Sequence, residues 1–144
     1  MSLDKAKFNS KQQGYTLLEV LISMVILAIG LLGMAAMMLN SIKSNQGALH
    51  RSEATLYAYE VLDLMRANRT AAEAGDYNIA IGASSARSTI AEIDLDNWKD
   101  SLSQLPLGDG SISQSGGIAT ITVQWDESRM QGGAIQNFVY MAEY

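Results

Sequence analysis

Residues 15–39 read YTLLEVLISMVILAIGLLGMAAMML, and this stretch decides the fold of the 144-residue chain. Hydrophobic residues fill 20 of its 25 positions, and the run from Val20 to Leu39 contains no charged residue. A helix of 20 residues is about 30 Å long, which is the thickness of the hydrocarbon layer of a bilayer. The stretch therefore predicts a membrane-spanning helix and not an element of an ordinary soluble protein.

Basic residues flank the apolar stretch unequally. Lys5, Lys7 and Lys11 precede it, and no basic residue follows until Lys43. The positive-inside rule places the N-terminus in the cytoplasm and residues 40–144 across the membrane. The sequence thus predicts a single pass with its C-terminal part outside the cytoplasm.

A cleaved secretory signal peptide is the competing interpretation of the same pattern. Its apolar region usually has about 7–15 residues, so the run here is too long. The small residues Ala35 and Ala36 lie inside the run between Met34 and Met37, which makes a poor cleavage site. A retained membrane helix is therefore favoured.

Net charge and cysteine content exclude several classes of function. The formal net charge is −5, and the residues after Gly14 sum to −7. Nucleic-acid binding is not expected, because it needs a cationic surface. Thiolate zinc sites, iron–sulfur clusters and disulfides all need cysteine, of which the chain has none.

Glu19 is the one charged residue between Lys11 and Lys43. A carboxylate near the centre of a bilayer costs about 2.5–3.5 kcal/mol on insertion scales. Its side chain therefore either snorkels to the headgroups or pairs with a cation in a water-poor place. An amine exposed at Tyr15 by cleavage would be such a cation, four residues away on the same helix face. From the residues alone both interpretations stay open.

Residues 14–22, GYTLLEVLI, resemble the processing site of type IV pilins and pseudopilins. In these families a short basic leader ends in glycine, and the new N-terminus is an aromatic residue followed by glutamate four positions later. Residues 29–35, IGLLGMA, and residues 63–69, DLMRANR, are most similar to the minor pilin V group. Three features depart from the pattern: Tyr15 stands where phenylalanine is usual, the long helix has no proline, and no cysteine pair lies near the C-terminus.

The resemblance implies a division of the chain and a set of processing residues. Residues 1–14 would be a leader that prepilin peptidase cuts between Gly14 and Tyr15, and the same enzyme would methylate the amine of Tyr15. Residues 15–39 would cross the inner membrane and later form the filament core, and residues 40–144 would be a periplasmic domain. Glu19 would pair with the Tyr15 amine of a neighbouring subunit during assembly.

The resemblance also implies a function and partners. The chain would be a minor pilin that joins other minor pilins and the major pilin to prime the type IV pilus, with roles in adhesion and twitching motility. The inner-membrane assembly platform and a tip adhesin would be further partners, and the pilus on the cell surface would be its final location. Two alternatives stay open: a minor pseudopilin of a type II secretion system, and a bitopic anchor protein with an unrelated periplasmic binding domain.

Hydrophobic periodicity extends the helix beyond the membrane and then changes to a strand pattern. Ile42, Leu49 and Leu56 recur every seven positions, and a helical spacing continues to Met65, so one helix of about 50 residues is expected. Gly30 and Gly33 either weaken this helix or permit close helix contact in the membrane.

The remaining elements are shorter. Residues 70–88 are rich in Ala, Gly and Ser and predict an irregular connection, and residues 93–105 predict a helix capped by Asp94 or Asp96. Residues 111–114, 119–125 and 136–141 predict strands, with turns at Gly116-Gly117 and Gly132-Gly133. The expected fold is α+β, a long N-terminal helix packed on a small antiparallel sheet of three or four strands.

Candidate catalytic and metal sites are weak, so no enzyme activity, cofactor or metal is expected. His50 is the only histidine and is interpreted as a solvated helix residue. Asp94, Asp96 and Asp100 do not form an EF-hand, since Lys99 stands where the calcium loop needs glycine. Asp126-Glu127 beside Gly132-Gly133 offers few oxygen ligands for a cation. Gly108-Asp109-Gly110 is interpreted as a turn, and Trp98 and Trp125 as core residues.

Overall fold

Three helices and three strands follow one another in the computed structural model, which describes residues 14–128 and 133–144. They are α1 (Leu17–Ala67), α2 (Arg69–Ala74), α3 (Ile90–Leu102), β1 (Asp109–Ser115), β2 (Ile118–Asp126) and β3 (Ile135–Glu143). The chain divides between Leu39 and Asn40 into two compact units. The α+β fold expected from the sequence is confirmed, with three strands.

The first unit contains the N-terminal part of α1. None of the described residues 14–39 is buried within the protein, although most of them are apolar. This part of α1 is long and apolar enough to cross a membrane. Its apolar side chains therefore face outwards on every side of the helix, as expected of a segment that lipid or other helices must cover. Gly30 and Gly33 lie within continuous helix, with open space around both positions.

In the second unit one face of α1 contributes to the core. The buried residues follow a helical spacing of three and four, as predicted, because side chains at that spacing lie on one face. They are Gly47, Ala54, Ala58, Val61, Leu62 and Met65. The seven-residue recurrence of Ile42, Leu49 and Leu56 predicted a continuing helix, which is confirmed, and all three side chains are exposed.

The sheet is antiparallel with strand order β1-β2-β3. Gly116 and Gly117 join β1 to β2, and both have positive φ angles, 60° and 81°, so this two-residue turn favours glycine. On β2 buried apolar residues alternate with half-buried polar residues, which confirms the predicted strand. The buried residues are Ala119, Ile121, Val123 and Trp125.

Helix α3 begins earlier than the sequence predicted. Thr89 is its N-cap, and a capping box joins the Thr89 hydroxyl and the Glu92 carboxylate to each other's backbone N–H groups. The prediction of Asp94 or Asp96 as the cap was wrong, because the Thr-x-x-Glu pattern was overlooked. Asp94 instead accepts a hydrogen bond from the Tyr77 hydroxyl at 2.6 Å, and Asp96 pairs with Arg87. Trp98 on α3 is buried, as predicted.

Two other local predictions were wrong in part. The connection over residues 70–88 contains most of α2, which ends at Gly75 in a left-handed conformation, and Ile79 forms an isolated bridge with Ile112.

Asp109 and Gly110 belong to β1 and not to a turn. A Cβ atom at Gly110 would lie 2.6 Å from Trp98, so glycine lets the strand approach α3 closely.

Asp109 is the centre of a polar cluster that ties α3 to β1. Its carboxylate pairs with Lys99 and accepts hydrogen bonds from the N–H groups of Gly82 and Gly110, at 2.6 and 2.7 Å. The Lys99 ammonium also donates to the carbonyl oxygens of Ala80 and Gly110. Burial alone would raise the pKa of Asp109, but these hydrogen bonds and the charge of Lys99 outweigh it and lower the pKa.

The substitution Asp109→Asn is expected to weaken the acid sensitivity of the second unit. A carboxylate with a lowered pKa stabilises the fold above its unfolded value of about 3.9, and this contribution is lost as the pH falls through the folded value. Chemical denaturation of a fragment that begins at Asn40, from about pH 5 to pH 2, measures the slope of the free energy of unfolding against pH. Asp76→Asn, at an exposed carboxylate, is the matched control, and equal slopes for the two variants would contradict the prediction.

Candidate functional site

The N-terminus of α1 is organised by Thr16. Its carbonyl oxygen accepts hydrogen bonds from the N–H groups of Glu19 and Val20, at 3.0 and 3.3 Å. Its hydroxyl oxygen also accepts from the N–H of Glu19, at 3.3 Å. A threonine that bonds the third helical residue in this way is an N-cap, so the helix begins directly after Thr16. Sequence reasoning missed this role, although Thr16-x-x-Glu19 is a capping pattern.

Glu19 lies in the first turn of α1. A carboxylate there is favourable, because the unpaired N–H groups of a helix N-terminus carry a partial positive charge. The Ser23 hydroxyl donates to the carbonyl oxygen of Glu19 at 2.7 Å, one turn further along. The position therefore has a local helix-stabilising role in addition to any role in assembly.

Tyr15 and Glu19 lie on the same side of the chain. Both line a shallow cavity of about 250 Å³, whose other lining residues are Val20, Ser23, Met24 and Leu27. Among the described residues 14–39 Glu19 is the only charged side chain, and it forms no ion pair there. The Tyr15 side chain is 82% exposed. The structure thus places a single carboxylate beside Tyr15 on an otherwise apolar surface.

Gly14 precedes the helix in an exposed position. A Cβ atom built there would have no heavy atom within 4 Å, so the fold itself accepts a larger residue. No contact with the described residues therefore requires glycine at this position. The remainder of the predicted leader, with Lys5, Lys7 and Lys11, lies outside the described residues.

The remaining candidate residues make contacts with other side chains of the protein. His50 is half-buried rather than fully solvated, with its Nδ1 atom 3.3 Å from a carboxylate oxygen of Glu53. Burial and the hydrogen bond to Asp94 raise the pKa of Tyr77 to about 12. Within residues 14–128 and 133–144 no group of three or more His, Cys, Asp or Glu residues could hold a metal ion.

The loop after β2 was a further candidate cation site. Glu127 is buried, and its carboxylate accepts a hydrogen bond from the indole N–H of Trp125 at 2.9 Å. The Asp126 carboxylate accepts from the backbone N–H of Ser128 at 2.7 Å. Gly132 lies outside the described residues. The described contacts are those of a turn and of a core hydrogen bond.

Comparison with known protein families addresses the N-terminal residues. Residues 9–35 match the family model of the prokaryotic N-terminal methylation motif. The match includes Gly14, Tyr15 and Glu19 and covers about a fifth of the chain. No curated protein and no solved structure matched. The motif indicates a type IV pilin-like substrate of prepilin peptidase with an N-terminal membrane helix, which supports the predicted resemblance at this broader level.

Proposed function

We propose that the chain is a minor pilin of the type IV pilus. The observation that carries the proposal is the methylation motif at residues 9–35, which lies at the start of a helix with apolar side chains on every face. A helix of this kind suits storage in a membrane and later packing against like helices in a filament. The second unit has its own core and would form the outer surface of the subunit.

The proposed pathway begins with processing in the inner membrane. The leader stays in the cytoplasm, the second unit lies in the periplasm, and prepilin peptidase cuts after Gly14 and methylates the amine of Tyr15. The assembly platform then extracts the subunit into the base of a growing pilus. The chain performs no reaction of its own, and its proposed partners are the major pilin, other minor pilins and a tip adhesin.

The Tyr15 amine and Glu19 would set the position of the subunit in the filament. A free α-amine has a pKa of about 7.7–8.0, so it is mostly a cation at neutral pH, and methylation leaves that charge in place. The Glu19 carboxylate is the only charge that residues 14–39 offer in return. In a water-poor core an unpaired charge is costly, so each carboxylate favours a position beside a neighbouring amine.

A minor pseudopilin of a type II secretion system would use the same processing site and the same helix. The two functions differ in where the mature protein goes, so the deciding measurement is whether it is recovered with sheared surface pili or stays in the cell envelope. Deletion of the gene should reduce pilus number if the chain is a minor pilin. A loss of protein secretion with normal pili would support the pseudopilin instead. A bitopic anchor protein would keep its full N-terminus.

Processing itself gives a direct test. Mass spectrometry of the protein from its host is expected to find a mature N-terminus at methylated Tyr15, without residues 1–14. Gly14→Val should leave the leader in place and still insert into the membrane, because the fold has open space at this position. Gly33→Ala, a glycine substitution inside the helix, should be cut normally. An intact leader in the unmodified protein, or a cut after Ala36, would contradict the proposal.

A further inference from the structure

A second cavity lies in the second unit, against α1. It measures about 430 Å³, within the range of small-ligand sites. Six of its lining residues occupy one face of α1 at helical spacing: Asn40, Lys43, Ser44, Gly47, Ala48 and Arg51. The seventh is Glu127, which follows β2. Neither the proposed assembly mechanism nor the processing site uses this cavity.

The cavity presents charges of both signs at separate places. Lys43 and Arg51 are exposed and form no ion pair with any described residue. Glu127 is only 7% exposed, and its described hydrogen-bond donor is the neutral indole of Trp125. A buried carboxylate is usually paired with a cation, yet neither cation of the cavity lies within 4.0 Å of it. The arrangement suits a ligand that carries an anion and a cation together.

The position of the cavity along α1 identifies the source of such a ligand. Asn40 directly follows Leu39, the last residue of the apolar run. At 1.5 Å per residue, Lys43 and Ser44 are about 6–8 Å beyond the hydrocarbon layer. The headgroup layer on each side of a bilayer is about 5–8 Å thick. This end of the cavity therefore lies at the depth of the phospholipid headgroups when the helix spans a membrane.

We propose that the cavity binds the headgroup of a phospholipid with a primary ammonium group, of the phosphatidylethanolamine class. Lys43 contacts the phosphate, with Asn40 and Ser44 as neutral donors, and Arg51 adds positive potential. Glu127 accepts hydrogen bonds from the ammonium group. The inference rests on the membrane-anchored stage of the proposed function, and it gives that stage a specific contact that extraction into a filament must break.

The choice of headgroup follows from Glu127. Phosphatidylglycerol has the phosphate but offers no cation to the buried carboxylate. Phosphatidylcholine has a cation, but its quaternary nitrogen carries no N–H group and cannot donate a hydrogen bond. Hydrogen bonds to charged groups are stronger than neutral ones, so the primary ammonium should be preferred about tenfold over both.

Native mass spectrometry of the full chain in detergent tests the preference. The protein is titrated with phosphatidylethanolamine, phosphatidylcholine and phosphatidylglycerol that have the same acyl chains. Phosphatidylethanolamine is expected to bind about tenfold tighter than the other two. Lys43→Gln should weaken its binding about tenfold. Arg69→Gln, which removes an exposed cation outside the cavity, should bind as the unmodified chain does.

Glu127→Gln tests whether the carboxylate causes the preference for phosphatidylethanolamine, as distinct from the attraction of Lys43 and Arg51 for any phospholipid phosphate. Its amide oxygen still accepts from the Trp125 indole, so the fold is expected to persist while the charge is removed. This variant should lose the preference for phosphatidylethanolamine over phosphatidylcholine, because no carboxylate is left to pair with the primary ammonium. Should Glu127→Gln fail to fold, the loss of lipid binding in Lys43→Gln, which changes an exposed residue, still tests the proposal. Equal affinity of the unmodified chain for the three lipids, or equal losses in Lys43→Gln and Arg69→Gln, would overturn the proposal.

Failure of the lipid site is distinguishable from failure of the proposed function. Normal cleavage after Gly14 with no headgroup preference would reject only the proposal that the cavity binds a phospholipid headgroup. A protein that keeps its leader in the host but prefers phosphatidylethanolamine would reject the pilin function and leave the lipid site in place.

Discussion

Trp125→Ala is expected to lower the free energy of unfolding of the second unit by about 3–5 kcal/mol. The Trp125 side chain is 2% exposed and belongs to the core that β2 shares with α1 and α3. Its removal leaves a cavity, and it also takes away the indole N–H that bonds the buried Glu127 carboxylate. No disulfide supports the fold. A loss of this size is a large part of the stability of a small domain.

Denaturant unfolding of a fragment that begins at Asn40 measures this effect. Trp125→Phe retains an aromatic ring in the core but removes the N–H donor, so a smaller loss of about 1–3 kcal/mol is expected. Met141→Ala is the control on the sheet, because the Met141 side chain is 67% exposed and its loss should cost less than about 1 kcal/mol. If Trp125→Ala cost no more than Met141→Ala, the placement of Trp125 in the core would be wrong.

The sequence predicted best where a periodic pattern is long. The helical spacing of α1 up to Met65 and the alternation on β2 each predicted an element with one buried face, and both are confirmed. The recurrence of Ile42, Leu49 and Leu56 correctly predicted that the helix continues, but all three side chains are exposed. Seven-residue spacing shows that residues share a helix face, but it does not show whether another element covers that face.

Local chemistry was predictable but overlooked at two helix starts. Thr89 with Glu92 and Thr16 with Glu19 both fit the Thr-x-x-Glu capping pattern. The sequence prediction missed the first pair because it placed the cap at Asp94 or Asp96. At Gly110 the difficulty is different. A glycine between polar residues favours a turn, and only the packing of β1 against Trp98 shows why a strand needs it there.

The two candidate sites also differ in whether the sequence could predict them. Gly14, Tyr15 and Glu19 are close in sequence, so a motif could predict them together. The cavity beside Lys43 could not be predicted, because it depends on where the chain after β2 brings Glu127, more than 70 residues away from α1's cations. Contacts of that separation are decided by the sheet register and by core packing.

The substitution Glu19→Gln is expected to reduce incorporation of the chain into pili by at least tenfold. It removes the only charge that can balance the Tyr15 amine in a water-poor filament, and breaking a buried ion pair costs about 3–5 kcal/mol. Synthesis, insertion and cleavage should continue, because an uncharged side chain inserts at least as easily. The helix start should also persist, since Thr16 bonds the backbone of residue 19 and glutamine serves as well as glutamate in a capping box.

Counts of surface filaments and immunoblots of sheared pili measure incorporation, and Ser23→Ala is the matched control. That variant loses the 2.7 Å hydrogen bond to the carbonyl oxygen of Glu19 but keeps the carboxylate, so it should enter pili at the normal level. If Glu19 only snorkels to the headgroups, the glutamine variant should also assemble normally, because the interface does not need the charge. Wild-type abundance of Glu19→Gln in sheared pili would therefore reject charge pairing and leave the proposed function to rest on the methylation motif and the cut after Gly14.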